Sequence, residues 1–191
     1  VKFHELSDEL VTTLLVTEDI RFYEHSGIDL KGLVRASYGV LKNVATFGSS
    51  GLEGGGSTIT QQLAKNLFKI RREKKGKLSG VPFLGLVISK VKEWIVAVKL
   101  EEFYTKKEIL SMYLNTAEYG SNSYGIKVAA KTYFNKLPSE LNYNESSIIV
   151  GLLNKPTKYN PYFNADNAIE KRAEIFYNLY KYNIVDQTAY D

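Results

Sequence analysis

The stretch GGGSTITQQLAKN, Gly54–Asn66, constrains this chain more than any other. A run of glycines lets the backbone adopt conformations closed to other residues and come close to a ligand. A helix start follows at once: Thr58 is placed to be its N-cap, and Gln61 stands three residues on, the spacing of a capping box. Ile59, Leu63 and Leu67 recur at helical spacing and predict one apolar stripe. Gln61 and Lys65 fall four apart on the opposite side, with Gln62 and Asn66 on its flanks, so that face is expected to be a strip of amides and one ammonium. A helix N-terminus that opens beside a glycine loop suits an anion. The residues alone also allow a flexible loop followed by an ordinary surface helix.

Composition narrows the class. The 191 residues suffice for one sizeable core or two small lobes. Without cysteine there is no disulfide and no thiolate metal site. Two histidines, His4 and His25, argue against a histidine-built metal centre. A net charge of +4 favours anionic partners, and fourteen tyrosines with nine phenylalanines suit a sugar-binding cleft or a membrane interface as well as a core. No apolar run reaches the roughly 18 residues of a membrane-spanning helix. A chain that starts at Val1 and stops at Asp191 in helical-looking sequence reads as a fragment of a longer protein.

Taken in order, Ser7 is a plausible N-cap with Asp8 and Glu9 in the first turn. Leu10, Leu14 and Phe22 are expected on one helical face, with Glu18 between the last two. An acid in an apolar stripe is informative, because burying a charge is costly unless it is paired or functional. Apolar surroundings raise a carboxylate's pKa toward neutrality, which suits a general base; a buried structural Glu with a basic partner is the alternative. Asp29 can cap a second helix whose apolar face is Leu30, Leu33, Val34, Leu41 and Val44. Arg71–Lys77 is a basic run, either a solvated loop or a phosphate clamp. Val81–Ile88 is apolar all round, so it is either the buried start of a core helix or a membrane-surface contact. A long helix to about Phe103 is predicted to bury Val87, Val91, Trp94, Ile95 and Val98, with Lys90 and Glu93 open to pairing on the surface. Thr105 and Glu108 form a second capping box, and Lys106–Asn115 turns Ile109, Leu110, Tyr113 and Leu114 inward. Further helices are expected at Ile126–Tyr133, Glu145–Leu153 and Ala165–Asn183. No segment carries a convincing strand period, so the fold class is all-α.

Five stretches, in order, resemble the five signatures of the peptidoglycan glycosyltransferase family, the polymerase domains of class A penicillin-binding proteins and their monofunctional relatives. They are Glu18-Asp19-x-x-Phe22-x-x-His25-x-Gly27; Gly55–Asn66; Lys90-x-x-Glu93 with Ala97 and Leu100-Glu101; Lys107-x-Ile109-Leu110-x-x-Tyr113-Leu114-Asn115 continuing to Gly120; and Arg172-Ala173 with Ile175, preceded by Pro156 and Tyr159-Asn160-Pro161. Two departures stand out. Ser89 precedes Lys90 where the family usually has arginine, and the interval Leu67–Ser89 is long, so a phosphate-binding arginine is sought at Arg71 or Arg72.

The resemblance implies a lysozyme-like fold over 1–191, with a larger lobe and a small membrane-proximal lobe at about 67–89. It implies transfer from a glycan on a polyprenyl diphosphate to the 4-hydroxyl of lipid II, with inversion. Glu18 would be the general base, and Lys65, Lys90 and Arg71 or Arg72 would hold the diphosphate. Glu93 would orient those cations or assist the leaving group, with a divalent cation such as Mg²⁺ possible and no firm metal ligand. Asp19, His25, Ser57, Thr58, Gln61, Gln62 and Asn66 complete the expected substrate-binding set. The implied partners are lipid II, the polyprenyl-linked glycan, the outer face of the cell membrane and a fused transpeptidase domain, not nucleic acid. A muramidase-type lytic enzyme and a non-catalytic glycan- or lipid-binding module are the alternatives. The first needs an acid on a glycosidic oxygen and has no use for a diphosphate cradle; the second leaves Glu18 unexplained.

Overall fold

The computed structural model describes residues 1–34, 56–68 and 82–186. Among these the structure is helical, with one isolated antiparallel bridge between Glu118 and Tyr124. The principal helices are α1 (Asp8–Glu18), α2 (Ile59–Phe68), α3 (Pro82–Phe103), α4 (Lys106–Thr116), α5 (Ile126–Phe134), α6 (Tyr143–Asn154) and α7 (Ala165–Lys181). Residues 30–34 are also helical. The chain forms two compact units, one of Val1–Ile20 with Leu110–Asp191 and one of Arg21–Ile109.

In the first unit α1 packs on α6 and α7. Ser7 caps α1 as expected: its Oγ accepts from the Leu10 N–H at 3.1 Å and donates to the Leu141 carbonyl at 2.7 Å, so the cap also ties the helix start to a distant loop. Leu10 and Leu14 are wholly buried, and Val16 meets Phe176 and Leu179 of α7, with Tyr143 against them. Asn142 and Glu145 make a full capping box at the start of α6. The inward set on α4 is as the spacing predicts, Leu110, Tyr113 and Leu114 all being buried. The expected helices after Gly125 are present, with ends moved by one or two residues.

One expectation fails in this unit. α1 stops at Glu18 and does not run on through Phe22. Asp19 leaves helical geometry (φ −160°, ψ 72°), and Phe22 opens a separate short 3₁₀ turn, Phe22–Glu24. No glycine or proline marks that break, so periodicity carried the reading past it. Glu18 is therefore the last helical residue, half-buried, with Leu14 one turn before it and no Phe22 after it on the helix.

In the second unit α2 packs on α3. Thr58 caps α2, its Oγ accepting from the Gln61 N–H at 3.1 Å. The capping box is not completed, because the Gln61 amide is used elsewhere. It donates to the Gly27 carbonyl at 3.1 Å, and the Thr58 hydroxyl donates to the same oxygen at 2.7 Å. Gln61 is thus buried and does not line an exposed polar strip, whereas Leu67 is 41% exposed and does not extend the apolar one.

The α3 face is also turned from the expected one. Glu93, Ala97 and Leu100 are buried, Trp94 and Val98 half-buried, while Val87, Val91 and Ile95 are exposed, with Ile88 beside them. The physical reason is the approach of Gly27. At φ +88° its backbone lies so close to that of α3 that a Cβ there would sit 2.8 Å from the Ala97 carbonyl carbon, which brings the face carrying Ala97 inward. Asp29 caps the helix at 30–34, accepting from the Gly32 N–H at 2.9 Å, and pairs with Arg21 at 2.6 Å. Burial works to raise the Asp29 carboxyl, but the Gly32 N–H and the Arg21 guanidinium outweigh it and hold the group below its ordinary value. Leu30 and Val34 are exposed, contrary to the predicted apolar face; Leu41 and Val44 lie outside the described residues, as do Gly48–Gly55 and Arg71–Lys77.

Gly27→Ala should destabilise the protein by about 2–5 kcal/mol, since a left-handed conformation costs a non-glycine residue about 1–2 kcal/mol and overpacking adds about 1–3. Gly85→Ala, where no atom lies within 4 Å of the added methyl, should be neutral or stabilising by up to about 1 kcal/mol. Denaturant unfolding of both variants checks the contrast.

Candidate active site

A corner of the second unit gathers three of the predicted residues. Ser57 stands just before the Thr58 cap, and its Oγ accepts from Lys90 Nζ at 2.7 Å. The same ammonium pairs with Glu93 at 2.8 Å. Glu93 is only 2% exposed, so this is not the weak surface pair that spacing allowed but a buried carboxylate holding a part-exposed cation. The Lys90 ammonium has three protons, and two are taken by Ser57 and Glu93. The arrangement presents a fixed positive charge and a hydroxyl at the start of a helix, groups that suit phosphate oxygens.

A second network supports this corner. Lys106 Nζ donates to the His25 carbonyl at 2.6 Å, pairs with Glu101 at 2.8 Å and lies 4.2 Å from the centre of the Phe22 ring. Glu101 in turn accepts from the Thr60 hydroxyl at 2.6 Å. His25 is extended, and its ring meets the Phe22 ring edge-on.

In the first unit Glu18 ends α1 and Asp19 is buried beside it. The field of Glu18 is felt at Tyr113. Burial first, then the Glu18 carboxylate and then Tyr119 push the Tyr113 phenol well above its ordinary value, so it stays a neutral donor next to an acid.

A transglycosylase family model matches residues 1–180. The chain belongs to that family, the peptidoglycan glycosyltransferases of cell wall synthesis. The helical, lysozyme-like fold follows from the same match. The chain is 36% identical to penicillin-binding protein 1A of Vibrio cholerae over 191 residues, all of this chain and 21% of that protein. It is 35% identical to penicillin-binding protein 1A of Escherichia coli, over all of this chain and 20% of that protein. Penicillin-binding protein 1F of Bacillus subtilis is 36% identical over 92% of this chain and 22% of its own length. The chain thus spans about a fifth of the length of these relatives.

Within this transglycosylase the structure brings together Ser57, Lys90 and Glu93, and it joins Thr58 and Gln61 at Gly27. Lys65 and Asn66 are exposed on the last turns of α2, and Gln62 is half-buried. Arg71 and Arg72 lie outside the described residues. Sequence reasoning missed Lys106, Glu101 and Thr60 as one network. The available signal was a lysine in the first turn of α4, where the helix dipole disfavours a cation.

Lys90→Met takes the cation from a buried carboxylate and should destabilise the fold by about 2–3 kcal/mol, below the 3–5 of a fully buried pair because Lys90 is part-exposed. Lys90→Met combined with Glu93→Gln should recover part of that loss. Thermal unfolding of the single and double variants provides the measurement.

Proposed function

We propose that this chain polymerises lipid II into glycan strands, taking a growing glycan on a polyprenyl diphosphate as donor and the 4-hydroxyl of lipid II as acceptor. The carrying observation is the Lys90 ammonium held between Ser57 and the buried Glu93, a fixed cation that suits a diphosphate and has no purpose on an uncharged glycan. Glu18 takes the proton of the attacking hydroxyl. The acceptor oxygen forms its bond to the anomeric carbon from the face opposite the diphosphate. The anomeric carbon–oxygen bond breaks, and the departing diphosphate keeps the electron pair. Lys90, with Ser57, stabilises the charge that develops there. Glu93 keeps the ammonium in place, and Lys65, exposed on α2, adds a second positive charge to the donor's surroundings. Asp19, His25, Gln62 and Asn66 contribute to substrate binding, and Tyr113 helps hold Glu18.

Mg²⁺ at the diphosphate fits this reading in one respect, a carboxylate at Glu93. Among the described residues no group of three His, Cys, Asp or Glu gathers to hold a metal. The exposed Val87, Ile88, Val91 and Ile95 on α3, with Leu67 and Phe68 on α2, supply apolar contact with a membrane surface in a small membrane-proximal lobe, on the extracytoplasmic side where lipid II is consumed. Among the described residues no helix is long and apolar enough to cross a membrane. A transpeptidase domain joined to this one, as the relatives' name penicillin-binding protein suggests, would cross-link the product strands.

Incubation with lipid II alone should yield polymer. Glu18→Gln keeps the shape but cannot accept the proton, so turnover should fall about 10²–10⁴-fold while affinity for the donor changes little. Cleavage of preformed glycan without polymer would instead mark a hydrolase.

A further inference from the structure

We propose that Lys106 is a positioning residue for the diphosphate-binding corner of Ser57, Lys90 and Glu93, an inference that rests on the glycosyltransferase reading above. Lys106 stands at the first position of α4, directly after the Thr105 cap, where the helix dipole opposes a cation. Its ammonium is held there by other groups. One proton goes to the His25 carbonyl at 2.6 Å, another to Glu101 at 2.8 Å, and the Phe22 ring centre lies at 4.2 Å. The Glu101 side chain is 6% exposed, and its Oε1 also accepts from the Thr60 hydroxyl at 2.6 Å.

These contacts act on both sides of the corner. Through His25 the ammonium fixes the segment that ends at Gly27, whose carbonyl receives Thr58 and Gln61. Through Glu101 it fixes Thr60 in the first turn of α2. Ser57 immediately precedes that turn, and its hydroxyl is 2.7 Å from Lys90. The position of Ser57 against Lys90 is therefore set from two directions by one ammonium that need not touch substrate.

The test is a KM against kcat comparison on the full-length protein. Lys106→Met keeps the aliphatic stem and removes the ammonium. The KM for lipid II should rise about 10- to 100-fold through the misplaced corner, and kcat should fall with it, because Lys90 and Ser57 also meet the charge that develops on the departing diphosphate. Lys106→Arg should restore most of the affinity. In a Ser57→Ala background Lys106→Met should add little further loss, because both act on one contact; independent losses that multiply would overturn the proposal. A fall in melting temperature with no change in KM would reduce Lys106 to a structural residue and overturn it as well. Geranylgeranyl diphosphate, titrated by calorimetry, separates this inference from the reading beneath it. A wild-type protein that binds this probe but makes no polymer sinks the polymerase reading, and the Lys106→Met affinity still decides the positioning role. A wild-type protein that neither binds the probe nor makes polymer overturns both.

Discussion

The second unit depends on a single carbonyl. The Gly27 oxygen accepts from the Thr58 hydroxyl and the Gln61 amide, and the Gly27 backbone presses on that of Ala97. One residue thus fixes the start of α2 and the face that α3 turns inward. Glycine is required twice there, by the positive φ and by the missing Cβ. Two side-chain donors on one buried oxygen satisfy both of its lone pairs, which a low-dielectric interior makes costly to leave unmet. Everything that Ser57 and Lys90 do follows from this contact, because it sets where the chain enters α2.

Around that contact the unit places its charges with partners. Glu93 has Lys90, Glu101 has Lys106 and the Thr60 hydroxyl, and Asp29 has Arg21 and the Gly32 N–H. Such pairs add little net stability but punish the loss of either member, so they define geometry more than they strengthen the fold. A phosphate-handling site needs that property. Its cation must sit where the leaving group will be before the charge appears, and a lysine on a flexible stem stays there only if a buried carboxylate holds it. The apolar side chains on the outer face of α3 follow from the same choice of buried face. With Glu93, Ala97 and Leu100 turned inward, Val87, Val91 and Ile95 are left on the outside.

Much of the local structure was written in the chain. The caps at Ser7, Thr58, Asp29 and Thr105, the inward set of α4 and the helices beyond Gly125 follow from side-chain chemistry within one helical turn, and such interactions need no distant partner. The motifs containing Glu18, Ser57, Lys90 and Glu93 named the family for the same reason: they are strings, readable in order. Tertiary structure decided the rest. Whether Gln61 completes its own capping box or reaches Gly27 depends on a residue 34 positions away. Whether α3 buries Val91 or Glu93 depends on which face meets Gly27, and the apolar spacing pointed to the Val91 face because it carries no sign that a charged residue will be paired inside. Lys106 gained its role only when folding brought His25, Glu101 and Phe22 to one ammonium. Sequence by itself determined the helices, their caps and the identity of the reactive groups, because those rest on contacts a few residues long. Only the fold decided which faces are buried and which cations are held, because those rest on contacts between segments far apart in the chain.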